Sequence, residues 1–254
     1  MSHRVGKLFC IICLIFFRLA VTRAQHQHPA HVAWDYGDSR GPTHWGELEP
    51  DFAACKNGYH QSPVDIRHPQ SADLPAIHFD YKQSPLHIID NGHTIMVNYG
   101  PGSFLRVGSE RYELKQFHFH RPSEEKIEGK TYDMVVHLVH ADEQGNLALV
   151  AVLLEQGQAN SLVDELWHDL PKTKEKEELK DVEIDVGGLL PEDRHYYSFS
   201  GSLTTPPCTE NVRWFVLKQA VTVSPTEVER FPRIYRNDAR PTQPLHDRVV
   251  LESR

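Results

Sequence analysis

The chain has 254 residues, of which 24% are charged and 39% hydrophobic, and a formal net charge of −8. That balance is too apolar for a disordered chain and too acidic for nonspecific nucleic-acid binding, which needs a cationic face. The length fits one large domain, and all-β folds of this size often run as one.

Residues 1–24 stand apart. Arg4 and Lys7 precede the apolar run Leu8 to Phe17, and a short stretch ends at Ala24. A basic start, an apolar core and a small residue before the cut describe a signal peptide. The run is short for a membrane span, which needs about 20 residues, and no other segment reaches that length. Cleavage would remove four basic residues and no acidic ones, taking the charge from −8 to −12. It would also remove Cys10 and Cys13. An exported chain then keeps Cys55 and Cys208, and two cysteines in an oxidising compartment predict one disulfide. In the chain-entropy picture so long a closed loop adds up to roughly 5 kcal/mol.

Residues 25–33 read as a flexible leader in which His26, His28 and His31 could bind metal weakly. From Trp34 to about Asp65 the chain is rich in Gly, Pro and Trp and reads as ordered loop with short helical turns. Short β-branched and aromatic runs follow at Leu86–Ile89, Thr94–Tyr99 and Phe104–Val107, with Asn91-Gly92 and Gly100-Pro-Gly102 as turn chemistry between them. Glu113–His120, Met134–His140 and Leu147–Leu154 are further strands, the last two apolar on both faces and so central. Ser161–Leu170 has helical spacing. Pro171–Lys180 is a charge run that reads as a solvated surface segment. Trp214–Leu217 and Ala220–Val223 complete the strands. The fold class is mostly β with minor helices, in one domain over residues 34–250.

Strict alternation in Gln116-Phe-His-Phe-His120 puts His118 and His120 on one face of a strand and Phe117 and Phe119 on the other. The two imidazoles then lie about 7 Å apart in Cα, close enough for two nitrogens to converge on one ion. A third ligand from a neighbouring strand has two candidates of opposite parity, His137 and His140, and parity does not choose between them. If it is His137, Val135 and Val139 give the site an apolar wall. Three neutral nitrogens without a cysteine leave a coordination position open, which is the arrangement of catalytic rather than structural zinc.

Eight separated segments carry a resemblance to the α-class carbonic anhydrases, of the secreted bacterial type. They are Gly41-Pro-Thr-His-Trp45, Gln61-Ser-Pro-Val-Asp-Ile66, Asn91-Gly-His93, Gln116-Phe-His-Phe-His120, Pro122-Ser-Glu124, His137-Leu-Val-His140, Gly201-Ser-Leu-Thr-Thr-Pro-Pro207 and Arg240-Pro-Thr-Gln-Pro-Leu245. The resemblance runs from Trp34 to about Val249. It implies a large, mainly antiparallel twisted sheet of about ten strands and reversible hydration of carbon dioxide to bicarbonate and a proton. Zinc-bound hydroxide would attack the substrate, chemistry for which carbonic anhydrase is itself the reference case.

The same resemblance implies the roles. His118, His120 and His137 would hold Zn²⁺. Thr204 would accept a hydrogen bond from the hydroxide and donate its own to Glu124, which orients the attack. Gln116 would orient a ligand imidazole from behind. Val139, Leu149, Leu203, Thr205, Val212 and Trp214 would line the substrate pocket. His93 would export the proton. Cys55 and Cys208 match the disulfide of secreted members. No nucleic-acid partner and no membrane partner after signal removal are expected. A periplasmic or secreted location and a homodimer fit the secreted bacterial members.

Three departures stand out. Members of the family usually carry a glutamate two residues before the third ligand. Here that residue is Val135, so His137 needs another acceptor, such as a backbone carbonyl or water. Met96 stands where a polar residue often supports the water wire. Glu125 replaces a histidine common in animal members and reads as exposed, a fallback exit for the proton beside the leader histidines. Competing readings are a cupin-like metalloenzyme built on His118-x-His120-x3-Glu124, a catalytically dead binding module, and an exported zinc scavenger using the leader.

Overall fold

The computed structural model describes residues 33–171, 176–231, 235 and 237–254. The signal-peptide stretch and the leader as far as residue 32 lie outside these, with His26, His28 and His31. Among the described residues no helix is long and apolar enough to cross a membrane.

Ten strands form the main path of one mixed sheet. In chain order they are β1 (Gln70–Ala72), β2 (Ser84–Asp90), β3 (Ile95–Asn98), β4 (Glu110–His120), β5 (Met134–Ala141), β6 (Leu147–Gln156), β7 (Lys176–Ile184), β8 (Tyr196–Ser202), β9 (Glu210–Leu217) and β10 (Leu251–Ser253). Their spatial order is β7-β2-β3-β4-β5-β6-β9-β8-β10-β1. All neighbouring pairs are antiparallel except β6·β9 and β10·β1. The open sheet excludes the cupin barrel. The expected strands fall within four residues of the observed ones, the largest gap being Trp214 against Glu210 at the start of β9. The second half of the charge run, from Lys176, enters β7 and pairs with β2.

Parity sorts the central strands between two cores. In register, Val136 faces Phe119 and Leu138 faces Phe117 across β4·β5. These even residues of β5, with Phe117, Phe119 and Val150, belong to the larger apolar cluster. The helix Ser161–His168 closes that side, with Trp167 edge-on to Phe119 at 5.0 Å between ring centres. Asn160 starts the helix by accepting from the N–H groups of Leu162 and Val163. The odd residues Val135 and Val139, with Leu149, Val212 and Trp214, form a second cluster on the other face. Both faces of β5 are thus covered, which is why Met134 to His140 are all buried.

A third cluster joins Trp45 and Phe52 to Cys55 and Cys208, which are disulfide-bonded with Cα atoms 5.0 Å apart. The cysteine count predicts this bond, which tethers the loop after β8 through Cys208.

Candidate metal centre and active site

His118 and His137 are direct cross-strand partners on β4 and β5. His120 lies two residues along β4 on the same face. The three rings sit 5.0–5.4 Å apart between centres, and one nitrogen of each lies within 4.8 Å of the others. His140 points the opposite way. Its Nε2 accepts from Tyr81 Oη at 2.7 Å and its Nδ1 faces Ala148 O at 3.3 Å. The parity question is settled for His137.

Each converging imidazole is held from behind by a different acceptor. His118 Nδ1 donates to Gln116 Oε1 at 2.8 Å. His120 Nδ1 donates to the carbonyl oxygen of Asp238 at 2.7 Å. His137 Nε2 donates to Glu125 Oε2 at 3.1 Å. With those protons assigned, His118 Nε2, His120 Nε2 and His137 Nδ1 carry lone pairs toward one point. His120 Nε2 and His137 Nδ1 are buried without a hydrogen-bond partner. A buried acceptor pair of this kind is costly unless a cation or water satisfies it, so the residues fit a three-nitrogen zinc site. Burial pushes His118 well below its usual range and His120 down to about 4, which keeps both neutral as ligands. Burial also opposes charge on His137, but the adjacent Glu125 carboxylate outweighs it and raises that pKa.

Two expectations need correction. Glu125 is not exposed: it is fully buried, so it cannot carry a proton to solvent. Nor does His137 rest on a backbone carbonyl or water, since Glu125 takes that place. Sequence reasoning missed Asp238 as well. A carbonyl oxygen carries no side-chain signature, so no motif could have revealed it.

Glu124 lies on the inner side of the same imidazoles. Its Oε2 is 3.5 Å from His120 Nε2 and 3.8 Å from His137 Nδ1. Its Oε1 accepts from the backbone N–H of Arg240 at 2.7 Å, and the carboxylate also bonds the Thr204 hydroxyl. Burial pushes Glu124 up to about 7, against the opposing pull of His137. A cation among the imidazoles would favour its ionised form.

The loop carrying Thr204 is tied down at both ends. Leu203 N–H donates to Thr209 O at 2.9 Å, Cys208 N–H to Thr205 O at 2.8 Å, and Gln61 Nε2 to Cys208 O at 3.0 Å. The Arg240 guanidinium reaches Gln61 Oε1, Ser62 O and Cys55 O at 2.7–2.9 Å. Burial lowers its pKa to about 10.

Val139, Leu149, Val212 and Trp214 share one apolar cluster against which Leu203 packs. Register explains it: Val139 pairs with Leu149, and Leu149 with Trp214. The Trp214 ring stands edge-on to His137 at 5.0 Å, which brings the apolar wall to the metal centre. Thr205 is half-buried beside Thr204. Gly201 permits the packing: a Cβ there would come within 2.2 Å of Ser62 Oγ and 2.8 Å of Trp214 Cδ1.

His93 occupies the turn before β3, where Asn91 Oδ1 accepts from its N–H at 2.9 Å. Its ring stacks on Trp34 at 3.7 Å. It lines a cavity of about 320 Å³ together with Tyr36, Tyr235 and Asp238. Met96 is the register partner of His118, so its side chain lies on the metal-facing side of β3.

Residues 40–254 match the family model for eukaryotic-type carbonic anhydrases. A carbonic anhydrase of Neisseria gonorrhoeae is 44% identical over 98% of this chain and 96% of its own. One from Nostoc sp. is 41% identical over 87% and 86% respectively. Among solved structures, the α-carbonic anhydrase of Thermovibrio ammonificans in complex with sulfanilamide is similar at a TM-score of 0.84 and 40% identity, covering 87% of this chain and 100% of that one.

Proposed function

The chain belongs to the α-class carbonic anhydrases, zinc enzymes that interconvert carbon dioxide and bicarbonate, and from that premise we propose how its own residues divide the work. His118, His120 and His137 hold the zinc. When bound, the metal supplies the Lewis acidity that makes water a nucleophile at neutral pH.

Thr204 orients that nucleophile. The Glu124 carboxylate accepts a hydrogen bond from the Thr204 hydroxyl, so the hydroxyl oxygen is left to accept from another donor. An oxygen nucleophile that donates to it has its lone pair turned toward the apolar wall. Val139, Leu149, Leu203, Val212 and Trp214 form that wall, with Thr205 at its edge. Carbon dioxide has no net charge, so an apolar surface beside the nucleophile binds it without a charged clamp. Bicarbonate, once formed, gains nothing from such a wall and leaves. His93 passes the released proton to solvent, since an imidazole exchanges protons readily near neutral pH. Its place on a cavity shared with Asp238, whose carbonyl holds His120, supports that role.

The observation that carries the reading is the pair of buried, unpartnered nitrogens on His120 and His137, facing the Glu124–Thr204 pair. A stopped-flow carbon dioxide hydration assay tests it. Activity should vanish with a strong chelator and return on adding one equivalent of zinc. Two or more tightly held zinc ions per mature chain would favour the scavenger reading instead. Export to an oxidising compartment belongs to the same reading and is supported by the Cys55–Cys208 disulfide. Sedimentation of mature protein checks the homodimer.

A further inference from the structure

His137 is flanked by two carboxylates that are adjacent in sequence. Glu124 Oε2 lies 3.8 Å from Nδ1, the nitrogen facing the metal position, and Glu125 Oε2 lies 3.1 Å from Nε2 on the far side. Of the three groups that accept from the ligand imidazoles, Gln116 offers an amide and Asp238 a backbone carbonyl, both neutral, the Asp238 carboxylate standing off from His120 Nδ1 at 3.9 Å. Glu125 alone offers a carboxylate. We propose that Glu125 is a positioning residue for the metal: it fixes the tautomer and orientation of His137 and makes it the most electron-rich of the three ligands, so that zinc retention depends on it. The proposal rests on zinc occupying the three-imidazole site.

The local structure is built to deliver this one side chain. The chain leaves β4 at His120 and turns back before β5. Within that turn Ser123 Oγ donates to the Glu125 carbonyl at 2.9 Å and accepts from the Tyr132 N–H at 2.9 Å. Ser123 N–H in turn donates to Tyr132 O at 3.1 Å, and Lys126 N–H to Val64 O at 3.2 Å. Glu125 is thereby pinned on both sides, and successive residues send their carboxylates to opposite nitrogens of one ring. The strand itself offers no substitute. Val135, two residues before His137 and on its face, is apolar and packed in the second cluster. A carboxylate arriving from the turn does what that strand position cannot.

Charge-carrying partners behind a metal-bound imidazole typically change metal affinity 10–100-fold when removed. The test measures the zinc dissociation constant of mature protein by competition with a chelator, with folding followed by circular dichroism. E125Q keeps size and removes charge, and it should weaken zinc about 10–100-fold. The double variant E125A/V135E moves a carboxylate to the strand position facing the same ring, and it should recover affinity to within about fivefold of wild type. A merely structural Glu125 would not be rescued in this way. A folded E125Q chain that holds zinc within twofold of wild type would overturn the proposal, and so would failure of the folded double variant to recover. Where a variant does not fold, the zinc-loaded wild type decides: proton NMR should show a slowly exchanging His137 Nε2–H, and its absence refutes the proposal. If the wild type itself binds no zinc, the metal reading fails, and that is a different result.

Discussion

The backbone N–H of Arg240 donates to Glu124 Oε1, while the guanidinium of the same residue donates to the carbonyl of Cys55. One residue therefore couples the carboxylate that faces the metal centre to the disulfide. Arg240→Met would leave the contact to Glu124 but strip donors from Gln61 Oε1, Ser62 O and Cys55 O. Leaving buried acceptors unpaired should cost about 3–5 kcal/mol. Urea unfolding of the zinc-loaded variant measures it. A loss under 1 kcal/mol would mean that water replaces the guanidinium.

Thr204→Ala should slow carbon dioxide hydration by about 10²–10³, the scale seen when an oriented hydrogen bond at a reacting oxygen is deleted. Zinc content should be unchanged. Thr204→Ser keeps the hydroxyl and should retain most of the rate. Equal losses in both variants would place the effect in packing.

His93→Ala should leave the hydration step intact and slow proton export. The rate should fall in weak buffer and recover as imidazole is added. Met96 lies on the metal-facing side of β3, so Met96→Asn should raise turnover in weak buffer and do little in strong buffer. If His93→Ala is unaffected in weak buffer, the proton leaves elsewhere, and buried Glu125 is no longer a candidate.

His140 gives the fold an acid limit. Burial lowers it from 6.5 to about 3, with Tyr81 and Ala148 bonding the neutral ring. Between those values the unfolded chain binds a proton that the folded chain does not. Stability must therefore fall as pH drops below 6.5, by at most about 1.4 kcal/mol per pH unit from this group. His140→Gln should flatten that limb by about one proton, whatever its effect at pH 7. Equal slopes between pH 6.5 and 5 would count against it.

Reducing Cys55–Cys208 should lower stability by up to roughly 5 kcal/mol, because the bond closes a loop spanning 153 residues. Zinc content should survive reduction in protein that stays folded, since the ligands are held by the pairing of β4 with β5 and not by the segments that carry the cysteines. Loss of zinc before unfolding would contradict this.

The strands that carry the metal site were legible because alternation is a strong signal when both faces are used. In Gln116–His120 the Phe residues had to face a core, so the imidazoles faced the site. His137 and His140 differ by an odd number of positions, and no local rule says which face of β5 meets β4's histidines. Tyr81, which takes His140, comes from far upstream. Asp238 acts through its carbonyl, and Glu125 through a turn whose path depends on Ser123 and Tyr132, so neither had a pattern to read. Strand β8, Tyr196-Tyr-Ser-Phe-Ser-Gly-Ser202, is too poor in β-branched residues to stand out and forms because β9 and β10 pair with it.

All three metal ligands sit on β4 and β5, adjacent strands that are complete by residue 141, whereas Thr204, the Arg240 contact and the Asp238 carbonyl come later in the chain. During synthesis the ligands emerge well before the groups that orient the nucleophile. The Asp238 carbonyl that holds His120 also arrives late, so the metal site itself is finished only when the chain is nearly complete. Until residue 238 is in place one of the three imidazoles lacks the acceptor that sets its tautomer, and zinc bound early would sit on a ring free to turn.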